Sequence, residues 1–129
     1  MRPVKPPTVW RTGEALVVTG LMVLLPMAVV LLPLYTTFSF VIVLVGVAYS
    51  YPALLCLFLP GHIYLRLTGR HGRWPHVALG GGTAVVFWYG LAYGVSVPPL
   101  TAGVLATGVG FGLIGMFGGW IFHLVAYRR

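Results

Sequence analysis

The chain has 129 residues, of which 59% are hydrophobic and 7% charged, with a formal net charge of +7. Ordinary globular domains carry roughly 25% charged residues, so this composition cannot supply a water-facing surface. Asp, Asn and Gln are absent and Glu14 is the single acid, which excludes paired-carboxylate catalysis, a Ser-His-Asp set and a carboxylate-built Mg²⁺ or Ca²⁺ site.

In chain order, the first segment carries Arg2, Lys5 and Arg11 together with Pro3, Pro6 and Pro7, and its first ten or so residues read as an extended tail. A tract without Asp, Glu, Lys or Arg then runs from Ala15 to Leu65, and a second from Trp74 to Tyr127. One membrane span needs about 20 apolar residues, so each tract holds two spans and a turn. The first turn is expected near Pro33-Leu34-Tyr35-Thr36-Thr37 and the second near Ser96-Val97-Pro98-Pro99. The predicted spans are about 14–34, 38–60, 76–96 and 101–125, with a loop over 61–75. The first run is too long for a signal-peptide core and lacks an A-x-A-like site, so it reads as an uncleaved anchor.

Arg66, Arg70 and Arg73 lie between spans two and three, and Arg128 and Arg129 follow span four. With four spans, all eight basic residues fall on one side, which the positive-inside rule makes cytoplasmic. The fold class expected is therefore all-α. It is an integral membrane protein of four transmembrane helices, arranged as two helical hairpins, with both termini cytoplasmic, in the inner (plasma) membrane. The net positive charge reflects topology rather than a nucleic-acid face.

Span four carries Gly108, Gly112, Gly115 and Gly119 at spacings of 4, 3 and 4. At ~100° per residue these share one narrow stripe, extended by Thr101 and Ala126, along which another helix can approach closely. Span three offers a shorter stripe of Thr83, Gly90 and Gly94. The stripes serve the hairpin itself or a partner chain. Pro26 and Pro52 are expected to bend spans one and two.

The remaining candidates are polar. Arg66, Arg70 and Arg73, flanked by Tyr64 and Trp74, form the sizeable polar surface and suit anionic lipid headgroups or an acidic partner. If that loop were helical the three arginines would share a face, but Gly69 and Gly72 oppose a long helix. His62, His76 and His123 map near the same ends of spans two, three and four, with His71 in the loop. They read as interfacial side chains beside lipid phosphates, and no metal or cofactor site is predicted. Gly80-Gly81-Gly82 lacks the following Lys of a phosphate-binding loop. Glu14 reads as a helix-start acid beside Arg11.

A lone acid at the start of span one in a four-span chain is similar to the small multidrug transporters, a resemblance confined to Glu14 and the span count. It implies a proton-coupled alternative: a small oligomeric transporter or lipid flippase using Glu14 and the loop arginines. The primary expectation is a non-enzymatic membrane protein that acts by contact with another membrane protein or with a second copy of itself.

Overall fold

The structure, a computed structural model, describes residues 7–31, 48, 50–94 and 101–127. The turns expected near 33–37 and 96–99, most of the first half of span two, and the basic residues at 2, 5, 128 and 129 lie outside the described residues. Every regular element described is helical. These are α1 (Val9–Leu31), α2 (Leu59–Leu67), α3 (Arg73–Tyr93) and α4 (Ala102–Ala126), with a π-helical turn, Leu54–Phe58, leading into α2.

α1 begins five residues earlier than the charge pattern predicts, which shortens the expected tail. The cause is local: Thr8 accepts the Arg11 backbone N–H through Oγ1 at 3.3 Å, and its carbonyl accepts the Thr12 N–H at 3.0 Å. A threonine cap of this kind satisfies donors that would otherwise be orphaned. α4 starts in the same way, with Thr101 Oγ1 accepting from the Val104 N–H at 3.3 Å. Thr101 is therefore a cap rather than an extension of the glycine stripe.

The second helical region also outruns its predicted end at residue 60. Pro60 has no N–H and its ring opposes the carbonyl four residues earlier. The wider π turn immediately before it accommodates this, with the Leu59 N–H reaching back to the Leu54 carbonyl. The helix then continues to Leu67 and ends in a Schellman arrangement. Gly69 takes φ +71°, its N–H bonds the Arg66 carbonyl at 3.2 Å, and the Arg70 N–H bonds the Leu65 carbonyl at 2.9 Å. The loop predicted over 61–75 is thus a short connection across residues 68–72. Gly69 breaks the helix, so Arg66 stays on α2, Arg70 sits in the turn and Arg73 opens α3.

α3 and α4 pack most extensively, α1 lies against α4, and α2 with its π turn lies against α3. The buried interior is small and partly polar: Ala15, Thr19, Ala53, Phe58, His62, His76, Phe122 and Ala126. Large apolar side chains point outward instead. On α4 these are Leu105, Val109, Leu113, Met116, Phe117, Trp120 and Leu124. Among the described residues α4 is the helix long and apolar enough to cross a membrane. Its 25 residues span about 38 Å at 1.5 Å each, against a hydrocarbon thickness of about 30 Å.

Candidate functional site: glycine-closed helices over a buried histidine pair

The glycines of α4 decide how closely α3 approaches. A Cβ on Gly119 would meet the His76 backbone, with its carbonyl carbon at 2.9 Å and Val77 Cα at 3.1 Å. One on Gly115 would meet the Gly80 backbone carbonyl and Ala84 Cβ, and one on Gly112 would meet Val85 Cγ2 at 3.3 Å. Gly108 lies under the Tyr89 hydroxyl, which donates to the Val104 carbonyl at 3.2 Å. All four glycines of the stripe therefore face α3 of the same chain. Gly118, on a different face, receives α1: a Cβ there would lie 2.9 Å from Val23 and 3.4 Å from Thr19.

The counterpart on α3 is not the pair read from the sequence. A Cβ on Gly90 meets nothing within 4 Å, and Gly94 terminates α3 with φ +59°, also in open space. Thr83 is half-buried. The α3 side of the contact is Gly80 and Gly81, which oppose Gly115, Gly119 and Gly112 through backbone atoms, with Met116 over Gly81. Gly80-Gly81-Gly82 lacks the Lys of a phosphate loop. The same run holds the close-packing residues.

Below this seam, at the end where α2, the turn, α3 and α4 meet, the four histidines gather. His62 and His76 are 1% and 0% exposed, and His62 Nδ1 lies 3.1 Å from His76 Nε2. His76 Nδ1 donates to the Gly72 carbonyl at 2.9 Å, and His123 Nε2 donates to the His71 carbonyl at 3.1 Å. Tyr127 closes the group, its hydroxyl 3.5 Å from His71 Nδ1. Phe122 sits in the middle, edge-on to Phe58 and His62 at centroid distances of 4.9 and 4.8 Å. Burial first, then repulsion from His76, Arg66 and His71, lowers the His62 pKa to about 4. Burial pushes the Tyr127 phenol up, with Arg66 opposing.

This placement corrects the reading of His62 and His76 as interfacial side chains beside lipid phosphates: both are enclosed by protein. The sequence held a usable signal, since the two lie seven residues either side of Gly69. An antiparallel pair of helices joined there brings such positions to the same level. Among the described residues no group of three or more His, Cys or acidic side chains is arranged to hold a metal ion.

The other predicted site residues are spread over the surface. Arg66, Arg70, Arg73 and Trp74 are all exposed around the 68–72 turn, and the Arg73 guanidinium lies 5.2 Å from the Trp74 ring centroid. Such a contact draws the cation to the face of the ring. Glu14 is exposed on α1. Thr107 bonds the Gly103 carbonyl of its own helix at 2.8 Å.

Thr19 is 1% exposed, and its Oγ1 has no hydrogen-bond partner among the described residues. A buried hydroxyl without a partner costs about 1–3 kcal/mol, and Val has nearly the same shape without the oxygen. Thr19→Val is expected to stabilise the protein by ~1 kcal/mol, read as a rise in midpoint on thermal unfolding. A fall in midpoint would show that the hydroxyl is bonded after all.

Comparison with known protein families, curated proteins and solved structures gives no match.

Proposed function

We propose that this chain is a small multi-pass protein of the inner membrane that acts by non-catalytic contact with another membrane protein. In this reading it is an accessory subunit, an assembly factor or an immunity-type protector. It has four spans, with both termini and the 68–72 turn on the cytoplasmic side. The observation that carries the membrane assignment is the inverted distribution of side chains. Glycines, alanines, Thr19, His62 and His76 are turned inward with only Phe58 and Phe122 as large apolar side chains among the described buried residues, while Leu105, Val109, Leu113 and Phe117 are turned outward. In water such a surface would be an aggregation liability. In lipid, helix association rests on close packing of small residues, and apolar side chains face the solvent at no cost. Support for the topology comes from the eight basic residues and the two long uncharged tracts.

Contact is favoured over transport by where the polar groups lie. The single acid is exposed at the start of α1 rather than within the bundle, and ionisable groups that move ions or protons through membranes face an interior path. The interaction surface also differs from the glycine stripe. That stripe is occupied by α3, which leaves the outward face of α4 and the exposed arginines around residues 68–72 for a partner. Substituting Gly112 or Gly115 therefore tests folding rather than partner binding.

Photo-crosslinking in native membranes, with the reactive group placed at Leu113 or Trp120, tests the proposal. The expected product is an adduct of defined mass with one other protein, unchanged in Glu14→Gln. Lipid adducts alone from both positions, together with a proton flux that Glu14→Gln abolishes, would replace it with the transporter reading. Reporter fusions that placed either terminus outside the cell would remove the topology.

A further inference from the structure

The hydrogens of the His62–His76 contact can be assigned from a single acceptor. The Gly72 carbonyl can only accept, so His76 Nδ1 carries the hydrogen of their 2.9 Å bond. His76 Nε2 is then a bare lone pair, and it accepts from His62 Nδ1–H across 3.1 Å. That leaves His62 Nε2 bare as well, and it is buried without a hydrogen-bond partner among the described residues. Two neutral rings satisfy the contact; a proton added to His62 leaves its Nδ1–H bond to His76 in place and weakens docking by putting an unbalanced charge in the protein interior. A first added proton goes to His62 Nε2, where it faces no acceptor. A second, on His76 Nε2, sets two N–H groups against each other in a site with no room between them.

We propose that the His62–His76 pair is an acid-labile junction, which keeps α2 docked on α3 while both rings are neutral and lets the C-terminal end of α2 lift away when they are protonated.

The surroundings favour release over accommodation of the charge. On α2 the pair faces Arg66; in the turn, His71; on α4 and just beyond it, His123 and Tyr127, with Arg73 beside His123. α1 brings Ala15 to the same core, and Glu14 is exposed to solvent. Among the described residues every ionisable neighbour is thus basic or neutral, and none supplies a carboxylate to balance an imidazolium. α2 is the element that yields. It meets α3 at the histidine pair and where Gly61 abuts Leu79, whereas α3 and α4 are closed along several turns by backbone-to-backbone contact. The sign follows from the depressed His62 value. With about 4 in the docked state and the ordinary ~6.5 when undocked, docking is fully favourable above ~6.5. It is lost progressively as pH falls towards 4, because the undocked state binds more protons.

The test uses the full chain, purified without partner in lipid nanodiscs. Spin labels replace Leu67 on α2 and Leu124 on α4, both exposed, in a Cys56→Ser background. The interlabel distance is expected to stay constant above pH 7 and to lengthen reversibly between about pH 6.5 and 4. Its midpoint should follow the His62 titration read by ¹⁵N NMR of labelled histidines. His62→Phe should abolish the response and His123→Gln should keep it. A distance that stays fixed while His62 titrates in the wild type overturns the junction, as does a response that survives His62→Phe. The wild-type comparison decides alone if His62→Phe does not fold. Because no partner is present, the result is independent of the contact reading.

Discussion

Gly119→Ala and Gly115→Ala are expected to destabilise the protein by about 1–3 kcal/mol or more, whereas Gly110→Ala in the same helix is expected to be neutral or stabilising by up to ~1 kcal/mol. The three substitutions add the same methyl group, so the difference comes entirely from what it meets. At Gly119 and Gly115 it meets the backbone of His76 and Gly80, which no rotamer change can move aside. The helices must separate, and the Tyr89, Val85 and Ala84 contacts along the seam loosen with them. At Gly110 and Gly103 the methyl meets nothing within 4 Å, so only the gain in helix propensity remains. Gly112→Ala belongs between these, since Val85 Cγ2 at 3.3 Å has to give by only a few tenths of an ångström. Equilibrium unfolding of each variant gives the order directly. Equal stability of Gly119→Ala and Gly110→Ala would mean that α4 does not lie against α3 along this stripe.

Phe122→Ala should cost about 2–4 kcal/mol by the same measurement, and Trp120→Ala less than about 0.5 kcal/mol. In the proposed lipid setting the transfer part of the usual large-to-small penalty would shrink, because separated helices would also sit in an apolar solvent. What remains is lost contact. Phe122 is fully buried between the Phe58 and His62 rings, and it stacks near the His76 ring at a centroid distance of 6.0 Å. Trp120 is 40% exposed on the outer face. Phe122 also keeps the histidine pair desolvated, so the vacated volume should let the His62 pKa rise from about 4 towards its ordinary value. Phe122→Leu should restore most of the stability. A Phe122→Ala variant as stable as wild type, with His62 titrating unchanged, would remove Phe122 from the centre of this cluster.

The helical character of the chain and the basic clusters at the ends of its apolar tracts can be read from composition and spacing alone. So can the single face shared by Gly108, Gly112, Gly115 and Gly119, because a rotation of ~100° per residue is a property of any helix. The helix ends were less legible. Thr8 extends α1 and the π turn before Pro60 extends α2, both through hydrogen bonds that hydropathy does not register. What α4 packs against was decided only in three dimensions. Gly90 and Gly94 form the better-known spacing, yet Gly80 and Gly81 take the contact. Periodicity states which residues share a face, and only the antiparallel register, with Tyr89 opposite Gly108 and Val85 opposite Gly112, states which face meets which. The histidines make the same point with larger consequences. As a string, His62 and His76 are two polar residues at the edges of apolar runs. Their enclosure depends on Phe122 and Tyr127 arriving from elsewhere in the chain, and burial holds the His62 pKa below its ordinary value.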